Sequence, residues 1–155
     1  MSEMSKPSIL VVDDVPQNIM AMKKILESVD AEIVDAIGGN EAINLLSKQE
    51  FALVLLDVRM PGMSGFEVAR LMRNIDHAKH TPIIFITGNV DSQIREMDGY
   101  DAGAVDYISK TTNKDIITSK VKVFVDLFNQ KQELRNMRLI SEEANKIFLK
   151  MNGSK

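Results

Sequence analysis

The 155-residue sequence predicts an α/β fold, a five-stranded parallel sheet with helices on both faces. Five short apolar runs alternate along the chain with segments whose apolar residues recur at helical spacing. The third run, residues 52–56, has no polar alternation, which is typical of a central strand buried on both faces. Helical crossovers between consecutive strands are short and right-handed, so this alternation indicates parallel strands.

The first half of the chain contains three of the predicted strands. Pro16 follows the first strand closely and suits a first helical turn, because its missing N–H has no partner there. Gly38 and Gly39 end the second strand. The predicted segments are a strand at Ser8–Val12, a helix from Pro16 to about residue 29, a strand at residues 31–37, a helix at residues 41–48 and a strand at residues 52–56.

The second half continues the alternation after a turn cluster at residues 60–65, which contains Pro61 and two glycines. Thr87 and Gly88 end the fourth strand, and Gly103 precedes the fifth. The predicted segments are a helix at residues 64–75, a strand at residues 82–86, a weaker helix at residues 90–100 and a strand at residues 104–108.

Length and composition exclude several classes of protein. The chain is long enough for one domain with an appendage. It has no cysteine, so it has neither disulfides nor a thiolate zinc site. No apolar run approaches the ~18 residues of a membrane helix, and the polar N-terminus lacks the apolar core of a signal peptide. We therefore expect a cytoplasmic protein without membrane association, with a disordered tail at residues 1–6.

The charge of the chain is unevenly distributed. Residues 1–112 carry 10 basic and 17 acidic residues, a net charge of -7, whereas residues 113–155 carry 9 basic and 5 acidic residues, a net charge of +4. The basic residues of the tail are interleaved with acids, as on a solvated helix. No basic recognition helix is visible, so a nucleic-acid partner is not expected.

Five polar residues follow the predicted strands. Because the carboxyl ends of parallel strands share one edge of the sheet, these side chains are expected to converge. Three carboxylates in one pocket repel one another unless they take up a proton or a cation. An all-oxygen site of this kind suits Mg²⁺, and a lysine and a hydroxyl beside it form a cradle for a phosphoryl group. The five residues are Asp13, Asp14, Asp57, Thr87 and Lys110.

These residues and their neighbours resemble the receiver domain of bacterial two-component response regulators, the chemotaxis-regulator type. The resemblance rests on Asp13-Asp14, Asp57 followed by MPGMSG, Thr87-Gly88 and the segment GYDAGAVDYISK that ends at Lys110. It covers roughly residues 7–125. It implies a flavodoxin-like sheet of strand order 2-1-3-4-5 and a phosphorylation-operated signalling switch.

The resemblance also implies roles for individual residues. Asp57 would be the phosphoacceptor, phosphorylated by a sensor histidine kinase or a phosphotransfer protein in a phosphorelay. Lys110 would pair with the phosphoryl oxygens. Thr87 would hydrogen-bond the phosphoryl group, and Tyr107 would turn inward in response. The Mg²⁺ ligands would be Asp14, Asp57 and the backbone carbonyl of Arg59, with Asp13 acting through water.

Each of these residues has a simpler interpretation when taken alone. Asp57 could cap its strand, Thr87 could cap the next helix, Tyr107 could be a partly buried strand aromatic, and Lys110 could be a solvated loop lysine. Their joint occurrence favours the receiver. The chain would then catalyse only its own phosphorylation and dephosphorylation and would not otherwise be an enzyme. The alternative to a phosphorylation-operated receiver is a degenerate receiver that serves as a phosphorylation-independent binding scaffold.

Two enzyme classes fit the sequence less well. A magnesium-dependent aspartyl-nucleophile phosphatase needs a second carboxylate two residues after the nucleophile, where this chain has Arg59. A dinucleotide-binding oxidoreductase needs G-x-G-x-x-G after the first strand, where this chain has Asp13 and Asp14.

Two departures from the family pattern concern the site. Thr111 follows Lys110 where the family usually has a proline with a cis bond, and a cis bond before another residue costs ~2.5 to 4 kcal/mol. The sequence therefore leaves open whether the Lys110 side chain contacts Asp57. Arg59 and Asn89 occupy positions from which side chains could set the lifetime of the acyl phosphate.

The tail predicts a long helix, because no Gly or Pro occurs from Lys114 until Gly153. A first apolar face, residues 117–128, is separated by Lys131 from a second that repeats at 3-4 spacing over about two heptads. Residues 126–155 are either one frayed helix or a parallel dimerising helix, which would be a coiled-coil linker to an output domain lost from the chain. The dimerising helix is favoured, because an isolated helix with an unpacked apolar stripe is only marginally stable. The second face consists of Met137, Ile140, Ala144, Ile147 and Met151.

Overall fold

A computed structural model describes residues 6–88 and 106–153, and its strands form one five-stranded parallel sheet. The strand order, β2-β1-β3-β4-β5, confirms the predicted flavodoxin-like topology. The elements are β1 (Ser8–Val12), α1 (Pro16–Ile25), a 3-10 turn (Leu26–Ser28), β2 (Glu32–Ala36), α2 (Gly39–Lys48), β3 (Leu53–Asp57), α3 (Gly65–Met72), β4 (Ile83–Thr87), β5 (Asp106–Ser109) and α4 (Lys114–Gly153).

The sheet separates two apolar cores, because successive side chains of a strand point to opposite faces. On one face Leu10 and Val54 pack against residues of α2 and α3. On the other face Ile9 and Leu53 pack against residues of α1 and α4. All five residues of β3 are buried. The central strand is thus covered on both sides, as its unbroken apolar run predicts.

Several element boundaries differ from the sequence-based ones. The predicted third strand stops before Asp57, but Asp57 is the last residue of β3 and pairs in register with Ile86. Helix α2 begins at Gly39, two residues earlier than predicted. Helix α3 ends at Met72 rather than at residue 75. The predicted helix at residues 90–100, the start of the predicted fifth strand at residues 104–105 and most of the predicted N-terminal tail lie outside the described residues.

Helix α4 continues without a break through residue 126, the predicted start of the helical extension. Its first part is buried against the sheet at Ile117, Val121 and Val125. Further along, Arg135 donates two hydrogen bonds of 3.0 Å to the carboxylate of Glu50, next to the start of β3. The domain limits at residues 7–125 and 126–155 stay predictions. No helix in the described part of the chain is long and apolar enough to cross a membrane.

Candidate functional site

The carboxyl ends of β1 and β3 bring three acidic side chains together. The two strands pair in parallel with Val12 opposite Leu56, so Asp13, Asp14 and Asp57 leave the sheet side by side. One carboxylate oxygen from each lies within 4.8 Å of the other two. Asp13 and Asp57 are buried, and Asp14 is partly exposed. The predicted convergence of these residues is therefore present in the fold.

The chain after β1 fixes the orientation of Asp13. One of its carboxylate oxygens accepts a hydrogen bond of 2.9 Å from the backbone N–H of Val15, at the start of α1. The same oxygen lies 3.4 Å from the side-chain nitrogen of Asn18, which donates to it. Asn18 did not stand out in the sequence, since an amide on a helix carries no signal until the helix is placed beside the site.

Lys110 lies on the opposite side of the pocket, in the turn after β5. Its Nζ is 3.5 Å from Oδ1 of Asp57 and 3.9 Å from Oδ2 of Asp13. Its backbone N–H donates to the carbonyl oxygen of Thr87 at 2.9 Å, which ties the turn to the end of β4. Lys110 therefore reaches the predicted phosphoacceptor even though Thr111 replaces the usual proline.

A hydroxyl pair organises the turn that carries Lys110. The hydroxyls of Ser109 and Thr111 lie 2.9 Å apart, and the N–H of Thr111 donates to the Ser109 hydroxyl at 3.2 Å. The N–H of Thr112 donates to the Ser109 carbonyl at 3.0 Å. Ser109 thus holds the turn in a side-chain-stabilised form, and no peptide bond in the described ranges is cis.

Charges and burial affect Asp57 in opposite directions. Its burial raises the pKa of the carboxyl group, the neighbouring Asp13 carboxylate raises it further and Lys110 lowers it, giving a pKa of about 6. Burial disfavours the charged form of an acid, and a like charge nearby adds to that effect. The ionised pocket therefore favours an added cation.

Thr87 and Tyr107 stand on the adjacent strands β4 and β5. Thr87 is the last residue of β4, is buried and pairs in register with Ser109. Tyr107 pairs with Phe85, and their ring centroids are 5.5 Å apart. The Tyr107 hydroxyl oxygen is buried. Tyr107 as a whole is partly buried, and its inward turn on phosphorylation stays a prediction.

Gly65, at the start of α3, is a site residue that the sequence analysis treated only as a turn residue. A Cβ atom there would lie 2.2 Å from the carbonyl oxygen of Asp57 and 3.1 Å from the Cα of Val58. The Gly65 N–H donates to the Val58 carbonyl at 2.9 Å. Only a residue without a side chain allows α3 to pack this closely under Asp57.

Arg59 and Asn89 are the two positions predicted to set the lifetime of the acyl phosphate. The Arg59 side chain is exposed, in the loop that leaves β3 two residues after Asp57. Asn89 lies outside the described residues.

The family comparison agrees with this geometry. The sequence model of the response regulator receiver domain matches residues 9–122. The chain belongs to the response regulator receiver family. Membership confirms the resemblance and places the chain in two-component signalling.

Receiver-containing relatives are longer than this chain. A probable cyclic di-GMP phosphodiesterase of Vibrio cholerae is 35% identical over 136 residues, which cover 88% of this chain and 30% of the relative. The transcriptional regulatory protein YvrH of Bacillus subtilis is 34% identical over 131 residues, covering 84% of this chain and 54% of YvrH. The chain thus spans about a third to a half of these curated relatives.

Solved receiver structures are similar over most of the described fold. The response regulator TrrA of Thermotoga maritima, in complex with Mg²⁺ and BeF, is 35% identical, with a TM-score of 0.68; the match covers 76% of this chain and 98% of TrrA. The chemotaxis protein CheY4 of Vibrio cholerae is 27% identical, with a TM-score of 0.71, over 77% of this chain and 99% of CheY4. The Mg²⁺ belongs to the TrrA structure, and the carboxylates of Asp13, Asp14 and Asp57 are oxygen ligands of the kind that such an ion takes.

Proposed function

We propose that this receiver is a phosphorylation-operated switch in which Asp57 accepts a phosphoryl group from the phosphohistidine of a sensor histidine kinase or a phosphotransfer protein. The contact between Lys110 Nζ and Asp57 Oδ1, 3.5 Å, carries the proposal. It places the one cation of the described pocket beside the one carboxylate at the end of the central strand. A scaffold that does not use phosphorylation has no need of this arrangement.

The reaction is a displacement at phosphorus. An oxygen of the Asp57 carboxylate attacks the phosphorus atom, the new P–O bond forms, and the P–N bond to the histidine breaks. The electron pair of that bond leaves with the imidazole nitrogen, which takes up a proton. Such transfers need positioning and neutralisation of charge more than covalent machinery, and Lys110 supplies one positive charge to the phosphoryl oxygens.

The predicted Mg²⁺ ligands fit this chemistry. Asp14 and Asp57 would bind the ion directly with the Arg59 carbonyl, and Asp13, already held by Val15 and Asn18, would act through water. When bound, Mg²⁺ neutralises phosphoryl charge that the three carboxylates would otherwise repel.

Phosphorylation then changes the surface next to β4 and β5. A phosphoryl group adds roughly -1.5 to -2 charge and strong acceptor oxygens. The Thr87 hydroxyl donates to one of these oxygens, and the Tyr107 ring, packed on Phe85, follows the repositioned backbone. The result is a population shift at β5 and the start of α4. Apart from phosphotransfer and the hydrolysis of its own acyl phosphate, the chain has no turnover.

The test is the intact mass of the protein after incubation with acetyl phosphate or beryllofluoride, with and without Mg²⁺. We expect a Mg²⁺-dependent adduct of one phosphoryl group or its analogue, which is absent in Asp57→Asn and present in Asp76→Asn. Asp76 is a fitting control because its side chain is 98% exposed and lies at the amino ends of β3 and β4, on the other side of the sheet from the pocket at the carboxyl ends. An adduct that persists in Asp57→Asn would assign the phosphoacceptor elsewhere, and no adduct under any condition would favour the scaffold alternative.

A further inference from the structure

We infer that α4 forms a parallel, in-register, two-stranded coiled coil with a second copy of this chain, through a seam on the face of the helix turned away from the sheet. The seam positions repeat at alternating spacings of four and three residues. They are Val123, Leu127, Gln130, Leu134, Met137, Ser141, Ala144, Phe148 and Met151.

The body of the protein leaves this seam uncovered. Ile117, Val121 and Val125 are the residues of α4 buried against the sheet, and at 100° per residue they lie on the opposite side of the helix from the seam. All nine seam positions are exposed, with Val123 at 54%, Leu134 at 64% and Phe148 at 63%. Seven of the nine side chains are apolar over about four heptads, and sustained heptads of this kind favour a coiled coil over a lone helix.

The seam differs in part from the apolar stripe predicted from the sequence. It shares Met137, Ala144 and Met151 with that stripe, whose other members are Ile140 and Ile147. Continued toward the N-terminus at the same spacing, that stripe would place Glu133 and Asp126 in the core of the coiled coil. The present seam instead continues through Leu134 and Leu127, so it runs along the helix without a buried acid.

The residues beside the seam select a second copy in parallel orientation. In a parallel coiled coil the residue before each a position faces the residue five positions later in the partner. Here Asp126 would face Lys131 of the second copy, and Glu133 would face Arg138 of the second copy. In an antiparallel pair, acid would face acid at these positions. Within the described part of the chain, neither Glu133 nor Arg138 has an ion-pair partner of its own.

Lys131 can pair with Asp126 of the second copy without leaving the Glu50 carboxylate unpaired. Its Nζ is 4.0 Å from the Glu50 carboxylate, whereas Arg135 makes two hydrogen bonds of 3.0 Å to it. Arg135 therefore keeps Glu50 neutralised if Lys131 turns toward the second copy. The inference does not rest on phosphorylation of Asp57, and the same association is expected of Asp57→Asn.

The first test is sedimentation of the full chain against two matched substitutions. Leu134 lies in the seam, and Leu149, 60% exposed on the same helix, lies outside it. We expect the unmodified chain to be dimeric at about 100 µM, Leu134→Asp to weaken association at least about tenfold, and Leu149→Asp to leave it within about threefold. A monomeric unmodified chain at that concentration, or equal effects of the two substitutions, would overturn the inference.

Cross-linking tests the orientation without disrupting the seam. The chain has no cysteine, so Ser141→Cys introduces a single thiol at a seam position, and Glu142→Cys introduces one at the next position, outside the seam. With an added oxidant, we expect a rapid disulfide-linked dimer from Ser141→Cys and little from Glu142→Cys. Equal cross-linking of the two would contradict a parallel, in-register pair.

A charge exchange tests the cross-chain pairs. Glu133→Lys and Arg138→Glu should each weaken the dimer about three- to tenfold, and the double substitution should restore it, because the pair is then reversed but still attractive. In an antiparallel dimer neither single substitution would weaken association, because like charges already face each other there, and that result would overturn the proposed arrangement.

Discussion

At the scale of single residues, the pocket concentrates negative charge that one lysine compensates only in part. Asp13 and Asp57 are buried, and the nearest cation, Lys110, lies 3.5 to 3.9 Å from them. Function and stability therefore oppose each other at Asp57. The residue that is proposed to react is also one whose ionised form the metal-free fold tolerates poorly.

Asp57→Asn should stabilise the protein in the absence of Mg²⁺. The amide removes one of three clustered charges while keeping the size of the side chain, and we expect the free energy of unfolding near neutral pH to rise by roughly 1 to 2 kcal/mol. Addition of Mg²⁺ should raise the melting temperature of the unmodified protein more than that of the variant. Thermal unfolding with and without Mg²⁺ measures both effects, and a variant less stable than the unmodified protein without Mg²⁺ would contradict this account.

Lys110→Met should slow phosphorylation without preventing the fold. The methionine keeps most of the aliphatic stem but removes the charge that meets the phosphoryl oxygens, so the rate of adduct formation with acetyl phosphate should fall by about 10- to 100-fold. Lys24→Met, on α1, is the control and should react at the normal rate. Equal rates for the two variants would show that the contact of Lys110 with Asp57 has no part in the reaction.

At the scale of elements, the start of α3 determines where the carbonyl of Asp57 lies. Gly65→Ala should destabilise the protein by about 2 kcal/mol or more, because the new Cβ meets backbone atoms that cannot move independently of β3. Gly38→Ala is the matched control, since nothing lies within 4 Å of a Cβ there. Urea unfolding of both variants compares the losses, and similar values would mean that α3 can shift at little cost.

The strands could be predicted closely, because each is a short apolar run. The boundaries that were missed depend on polar or small residues whose role is set by neighbours. Asp57 belongs to β3 because Ile86 pairs with it, and Gly39 begins a helix although glycine usually ends elements. The five strand-end residues could be found from topology alone, whereas the close approach at Gly65 and the support from Asn18 appear only when separate elements are packed together.

At the scale of the whole molecule, α4 runs from the turn beside the acidic pocket to the exposed seam in its second half. Its beginning follows β5 and the turn of Lys110, its middle is fastened to the opposite edge of the sheet, and its far half is exposed. Sequence alone could not show which face of α4 contacts the body of the protein, since Glu50 and Arg135, which make that contact, are 85 positions apart. A movement at the start of α4 would reach the exposed half of the helix as a rigid-body shift only if the contact between Arg135 and Glu50 stays formed.

The fastening should depend on pH in a defined direction. Hydrogen bonds from Arg135, aided by the charges of Arg135, Lys131 and His77 and opposed by burial, hold the pKa of Glu50 below its usual value of 4.5. The folded state therefore binds the Glu50 proton less tightly than the unfolded state does. Its stabilisation is fully present above about pH 4.5 and is lost as the pH falls through the lower pKa of the folded protein.

Glu50→Gln should therefore be less stable than the unmodified protein at pH 7, by up to about 1 kcal/mol for a partly exposed pair, and the difference should shrink as the pH falls below 4.5. Glu142→Gln, on the exposed part of α4, should show no such pH-dependent difference. Urea unfolding at both pH values, at a concentration where the chain is monomeric, measures the effect, and hydrogen exchange along α4 shows whether the helix loosens beyond residue 128. A pH-independent difference would mean that packing, rather than the charge of Glu50, fastens the helix.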